Sequence, residues 1–172
     1  MRNAKCEMRN EKPLRTWERL TASPEETQLL AEQLGFLLEP GDVVALMGEL
    51  GSGKTLFAQG LARGLGVPEA FTITSPTFAI INEYPGRIPF CHLDLYRVSR
   101  VGEFFELGLE EILYGQGAVA IEWAESLGED LPEERLEVRL KFKDETSRSL
   151  IFYAFGKSSE KRLSRLIEEF RD

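Results

Sequence analysis

The sequence predicts an α/β fold, a central and mostly parallel sheet flanked by helices, with antiparallel strands added in the C-terminal half. Three observations carry this expectation. Val43-Val44-Ala45-Leu46-Met47 and Ala118-Val119-Ala120-Ile121 are continuous apolar runs of the kind found in strands buried on both faces. The first run passes through a glycine-rich turn directly into a helical stretch, the strand-loop-helix order from which parallel sheets are built. From residue 135, Leu136, Val138, Leu140 and Phe142 alternate with Arg135, Glu137, Arg139 and Lys141, which predicts a strand with one wet face.

The remaining elements follow in order. Residues 1–12 are polar, mixed in charge and without periodicity, and are expected to be a disordered lead-in to a single domain over 13–172. Leu14 to Leu20 reads as a strand. Ser23-Pro24-Glu25-Glu26 combines a capping serine, proline at the first helical position and glutamate three after the cap; Leu30, Ala31 and Leu34 follow at helical spacing, so a helix is expected over 24–36. Pro40-Gly41-Asp42 turns the chain into the run Val43–Met47. A second helix over 54–65 ends at Gly64-Leu65-Gly66-Val67-Pro68. Thr77–Tyr84 and Ile88–Leu95, joined by Pro85-Gly86, read as paired strands, and 102–114 as an acidic helix. Asp144–Ser147 turns the alternating strand back into Leu150–Phe155. Leu163, Leu166, Ile167 and Phe170 mark one face of a final amphipathic helix.

Composition narrows the function. The chain has 172 residues with 21 basic and 29 acidic side chains, a net charge of −8. Ten of the acidic residues and no basic one fall within 101–134, a region that would repel phosphate backbones. Tight direct RNA or DNA binding is therefore not expected. Two cysteines, Cys6 and Cys91, and the single histidine His92 leave no material for a disulfide framework, a zinc cluster or a multi-histidine metal site. No apolar run approaches the roughly 20 residues of a membrane helix, and the N-terminus lacks a signal peptide's apolar middle. A cytoplasmic protein, monomeric in isolation, is expected.

Gly48-Glu49-Leu50-Gly51-Ser52-Gly53-Lys54-Thr55 fits G-x-x-x-x-G-K-[ST] without a mismatch. In such a loop the amides of Glu49, Leu50, Gly51, Ser52 and Gly53 point at phosphate oxygens, the following helix adds its positive dipole end, and Lys54 reaches the β- and γ-phosphates. The Thr55 hydroxyl is placed to ligate Mg²⁺. The motif lies between a buried strand and a helix, so the fold class sharpens to a P-loop NTPase-like one. An acidic residue at the end of a neighbouring strand should complete the metal site. Two candidates stand open: Glu122, after Ala118–Ile121, and Asp94, in Cys91-His92-Leu93-Asp94-Leu95-Tyr96-Arg97. His92 reads as a satisfied core histidine rather than a catalyst, and Trp123 as packing rather than base stacking.

The P-loop, Ser75-Pro76-Thr77-Phe78, His92-Leu93-Asp94-Leu95-Tyr96-Arg97 and Ile121-Glu122-Trp123, in this order and at these intervals, resemble the TsaE (YjeE) family, small ATPases of bacterial tRNA threonylcarbamoyladenosine synthesis. The resemblance spans roughly Thr21 to Phe155. The family's usual P-loop alanine is Ser52 here, a position expected to act through its backbone. The resemblance implies Mg²⁺ ligands at Thr55 and Glu122, a phosphate lysine at Lys54, a γ-phosphate sensor at Thr77, and a water- or metal-orienting role for Asp94 supported by Tyr96 and Arg97. It places the nucleotide base near the start of the first helix, at Thr27. It further implies ATP and ADP as ligands, slow hydrolysis, and coupling to TsaD, which modifies adenosine 37 of tRNA, and to TsaB. The rival reading is a small-molecule P-loop kinase, yet 101–134, where a lid would sit, holds no arginine. A GTPase fits less well, because no Asn-Lys-x-Asp occurs. A nucleotide-gated interaction module overlaps the family reading.

Overall fold

The computed structural model describes residues 10–75, 81–98 and 106–171. Seven strands form one sheet in the order β1-β7-β6-β2-β5-β4-β3: β1 (Arg15–Thr21), β2 (Val43–Met47), β3 (Ile81–Tyr84), β4 (Phe90–Asp94), β5 (Ala118–Glu122), β6 (Arg135–Phe142) and β7 (Arg148–Phe155). The central strands β6, β2, β5 and β4 run parallel. The hairpin β6–β7 adds the expected antiparallel pairing, while β1 on β7 and β3 on β4 make both sheet edges antiparallel. Both apolar runs are buried along their whole length, as strands covered on two faces must be.

Helices α1 (Pro24–Leu37) and α2 (Lys54–Gly64) cover one face. Ser23 caps α1 by accepting from the Glu26 amide, and Glu26 reaches back to the Ala22 amide at 2.7 Å, one residue before the cap. Phe57, fully buried on α2, packs on Phe152 of β7 at 6.2 Å between ring centroids and contributes roughly 1.5–3 kcal/mol of burial. That contact fixes the helix whose first residues are Lys54 and Thr55. The C-terminal helix α4 (Lys157–Glu169) buries Leu163 and Leu166 in the same core. The other face is covered by α3 (Leu109–Leu113) and a 3-10 segment, Ala124–Asp130. No helix among the described residues is long and apolar enough to cross a membrane.

Parts of two expected elements lie outside the described residues, and other expectations are adjusted. Residues 102–105 of the expected acidic helix lie outside the described residues, and α3 begins only after Gly108, whose φ of 71° lies in the left-handed region that favours glycine. Residues 77–80 of the strand expected over Thr77–Tyr84 lie outside the described residues, and β3 covers the rest, Ile81–Tyr84. The wet face of β6 is wet only at its far end, where Lys141 is exposed; Arg135 and Glu137 are buried. Arg135 Nε donates to Glu137 at 2.9 Å, its Nη1 donates to Glu11 and to the Pro132 carbonyl, and its guanidinium lies 4.0 Å over the Phe155 ring. A paired and hydrogen-bonded charge can be buried where an unpaired one could not. Glu11, within the expected lead-in, is thus tied to the sheet, while residues 1–9 lie outside the described residues.

Candidate functional site

The loop after β2 takes its shape from its glycines. At Gly48 a Cβ would stand 2.6 Å from the Leu140 carbonyl oxygen, so only glycine lets the loop leave between β2 and β6. Gly53 caps α2 with φ at 106°, a conformation that L side chains rarely adopt. Lys54 is buried, and its Nζ donates to the carbonyls of Gly48 at 2.7 Å and Glu49 at 2.9 Å, closing the loop upon itself. Arg148, at the start of β7, donates from Nε to the Ser52 carbonyl at 3.0 Å. Ser52 contributes more than its backbone: its side chain is fully buried with the hydroxyl 3.4 Å from Lys54 Nζ. Leu50, at the loop's tip, is 72% exposed.

The structure brings Thr55 and Glu122 together. Thr55 Oγ1 donates to Glu122 Oε1 at 2.8 Å, across 67 residues of chain. With that proton committed, the 2.8 Å contact between Thr55 and Ser75 is one in which Ser75 donates. His92 Nε2 lies 2.8 Å from the same Glu122 oxygen. Asp94 sits opposite Glu122 in the β4–β5 register, at the C-terminal strand ends where α/β sheets bind ligands, but its Oδ1 accepts from its own Tyr96 amide at 3.0 Å. Of the two candidate carboxylates, Glu122 is therefore the one in contact with the P-loop threonine. Two hydroxyls and a carboxylate are hard oxygen donors, a set that fits Mg²⁺, which takes few protein ligands and fills its octahedron with water and phosphate oxygens.

Lys54 Nζ also lies 4.0 Å over the Trp123 ring, and that ring packs on exposed Tyr96 at 5.0 Å. Trp123 has a left-handed φ of 57°, which turns the chain from β5 into the 3-10 segment. Burial lowers the Lys54 pKa, against the pull of Glu122, Glu125 and Asp94. Burial likewise raises the Glu125 carboxyl, against its own backbone amide and the positive charges of Lys54 and Arg139. The buried Lys54 charge is thus disfavoured by desolvation and favoured by the carboxylates of Glu122, Glu125 and Asp94.

Thr27 is 1% exposed, with its hydroxyl 2.6 Å from that of Thr21 and 3.3 Å from the Ser23 carbonyl, so this hydroxyl fastens the start of α1 rather than facing solvent. Thr77 lies outside the described residues. Sequence reasoning did not assign roles to Ser75, Glu125 or Arg148. Glu125 lies at the start of the 3-10 segment that follows β5, and nothing in its own spacing pointed to the site; Arg148, nearly a hundred residues from the loop it holds, had no signal either.

A model of the family described as "Threonylcarbamoyl adenosine biosynthesis protein TsaE" matches residues 21–150. A protein named "tRNA threonylcarbamoyladenosine biosynthesis protein TsaE" from Bacillus subtilis is 43% identical over 141 residues, covering 81% of this chain and 87% of that one. Proteins of the same name from Treponema pallidum and a Nostoc species are 42% identical (71% and 89% covered) and 46% identical (74% and 79% covered). Among solved structures, Bacillus subtilis YdiB superposes with a TM-score of 0.77 at 37% identity, covering 91% of this chain and 97% of that one. With a family model matched over residues 21–150 and relatives matched over most of the chain, this protein belongs to the TsaE family.

Proposed function

We propose that the chain is an Mg²⁺-dependent ATPase that serves threonylcarbamoylation of adenosine 37 of tRNA, with ATP binding and slow hydrolysis coupled to the proteins TsaD and TsaB. The observation that carries the reading is the Thr55–Glu122 contact of 2.8 Å beneath a complete phosphate loop. In this reading Lys54 exchanges the Gly48 and Glu49 carbonyls for β- and γ-phosphate oxygens, and the loop from Glu49 to Gly53 supplies amides to the phosphates. Thr55 and Glu122 would hold Mg²⁺, whose charge, when bound, would offset that of the phosphates. Asp94 orients the attacking water, with Tyr96 and Arg97 beside it, and Thr77 senses the γ-phosphate. The pathway role rests on the family and on the names of the relatives. Support for coupling rather than freestanding chemistry comes from 101–134, which offers no arginine to clamp a second substrate.

A nucleotide can shift partner binding only by its differential affinity for the docking-competent state. The test is capture of purified TsaD and TsaB by the full chain in ATP, in ADP and without nucleotide. At least a tenfold preference among the three, about 1.4 kcal/mol, is expected. Equal capture in all three overturns the switch, and phosphoryl transfer to a small acceptor would replace it with a kinase.

A further inference from the structure

His92 stands on β4 with no exposed surface, and its ring stacks on Phe90 at 6.4 Å with only 9° between the planes. An aromatic carbocycle would fill that space as well. What a carbocycle would lack is the 2.8 Å contact from Nε2 to Glu122 Oε1. A carboxylate only accepts, so the hydrogen-bond network assigns the proton to Nε2. Nδ1 is then left buried without a hydrogen-bond partner. An unsatisfied buried acceptor costs about 1–3 kcal/mol, so packing disfavours histidine here and the bond to Glu122 is what histidine gains.

The geometry explains what that bond does. Glu122 Oε1 accepts from both sides, from His92 on β4 and from Thr55 on α2. His92 and Glu122 lie on neighbouring parallel strands, His92 opposite Ala120 and Asp94 opposite Glu122, so both side chains face α2. A carboxylate held by one donor can rotate about its last torsion; held by two from opposite elements, it has its plane set before any ligand arrives. Residues that orient a metal-binding group commonly carry 10- to 100-fold of the metal affinity, on the order of the effect expected here.

We propose that His92 is a positioning residue for Glu122 and, through it, for the divalent cation that Glu122 and Thr55 take together with ATP. This rests on the metal reading given above. His92 is buried as the sequence leads one to expect, and in this proposal the core residue also serves the site.

The test uses the full chain and calorimetric ATP affinity, first in EDTA and then with Mg²⁺, for wild type, His92→Phe and His92→Gln. Phenylalanine keeps the ring and its stacking but not the donor; glutamine places an amide donor near the position of Nε2. His92→Phe is expected to bind ATP in EDTA within about twofold of wild type and to lose about tenfold of the affinity gained on adding Mg²⁺, with His92→Gln recovering most of it. A change in packing alone would move both conditions together. Should phenylalanine lower the melting temperature markedly, His92→Met replaces it, as the apolar counterpart of glutamine. If wild type gains from Mg²⁺ and the apolar variant gains equally, or if glutamine restores nothing, this inference falls alone. If wild type binds ATP but gains nothing from Mg²⁺, the metal reading falls and takes this one with it.

Discussion

Lys54 Nζ sits 4.0 Å above the ring of Trp123, and Trp123 is the only described residue other than glycine with positive φ. A left-handed L residue costs roughly 1–2 kcal/mol, and a desolvated cation over an indole gives back about 2 kcal/mol. The strained backbone is thus offset by the lysine it supports. Replacing Trp123 by Ala removes the ring and keeps the strain; replacing it by Gly removes both. ATP affinity, read by calorimetry, is expected to fall about 5- to 30-fold in each, the cation-π contribution of about 1–2 kcal/mol. Urea unfolding should show the glycine variant more stable than the alanine variant by up to about 1 kcal/mol, strain relief less glycine's extra chain entropy. An alanine variant more stable than the glycine variant by glycine's own chain-entropy cost, about 0.5–1 kcal/mol, would show that the left-handed turn carries no cost.

Glu122 and Asp94 are separable by substitution. Glu122 touches Thr55, whereas Asp94 touches its own chain at Tyr96. Glu122→Ala is expected to leave ADP affinity within a few-fold and to slow single-turnover hydrolysis by about 100-fold or more, because charge held at a metal matters most where phosphate charge develops. Asp94→Asn still accepts the Tyr96 amide and should slow hydrolysis without changing its Mg²⁺ dependence. Normal hydrolysis by Glu122→Ala beside a dead Asp94→Asn would move the metal role to Asp94.

Glu125 predicts a pH dependence of stability. Burial raises its carboxyl above the ordinary 4.5, more than its backbone amide, Lys54 and Arg139 lower it. Between the unfolded and folded values the folded chain binds more protons than the unfolded one, so this group's contribution falls as pH rises through that window and stays reduced above it. Glu125→Gln removes the titration. Thermal melts at pH 4, 6 and 8 should place the variant above wild type at pH 8, with the gap closing toward pH 4. A gap that widens on acidification would mean that the cations outweigh burial.

Arg148 joins the β6–β7 turn to the phosphate loop. Its Nε donates to the Ser52 carbonyl, its Nη1 donates to the Asp144 and Ser147 carbonyls at 3.0 and 2.9 Å, and its guanidinium lies 4.4 Å over Phe142. Lysine keeps the charge but not the planar fork. Arg148→Lys is expected to weaken ATP binding about 3- to 10-fold, one to two ordinary hydrogen bonds' worth. It should also lower the melting temperature by a few degrees, at roughly 2–4 °C per kcal/mol for a chain of this size. Unchanged ATP affinity would mean that the loop keeps its shape without the clamp.

The sequence by itself determined several features whose causes lie within a few residues. Five consecutive apolar residues make β2 a buried strand, Ser23 and Glu26 set the start of α1, and the glycines from 48 to 53 shape a loop that must end in a helix. Those causes are periodicity, capping and dihedral freedom, all readable along the chain. Only the tertiary structure decided which carboxylate meets Thr55, because the partner comes from 67 residues away and is chosen by strand register and the placing of α2. It decided likewise that Arg135 and Glu137 go inside, since alternation marks two faces of a strand but does not say which polar residues will find partners there. His92 belongs to the same class. Its neighbours in sequence are apolar and mark it for the core, while its one hydrogen-bond partner stands on the next strand and ties it to the site.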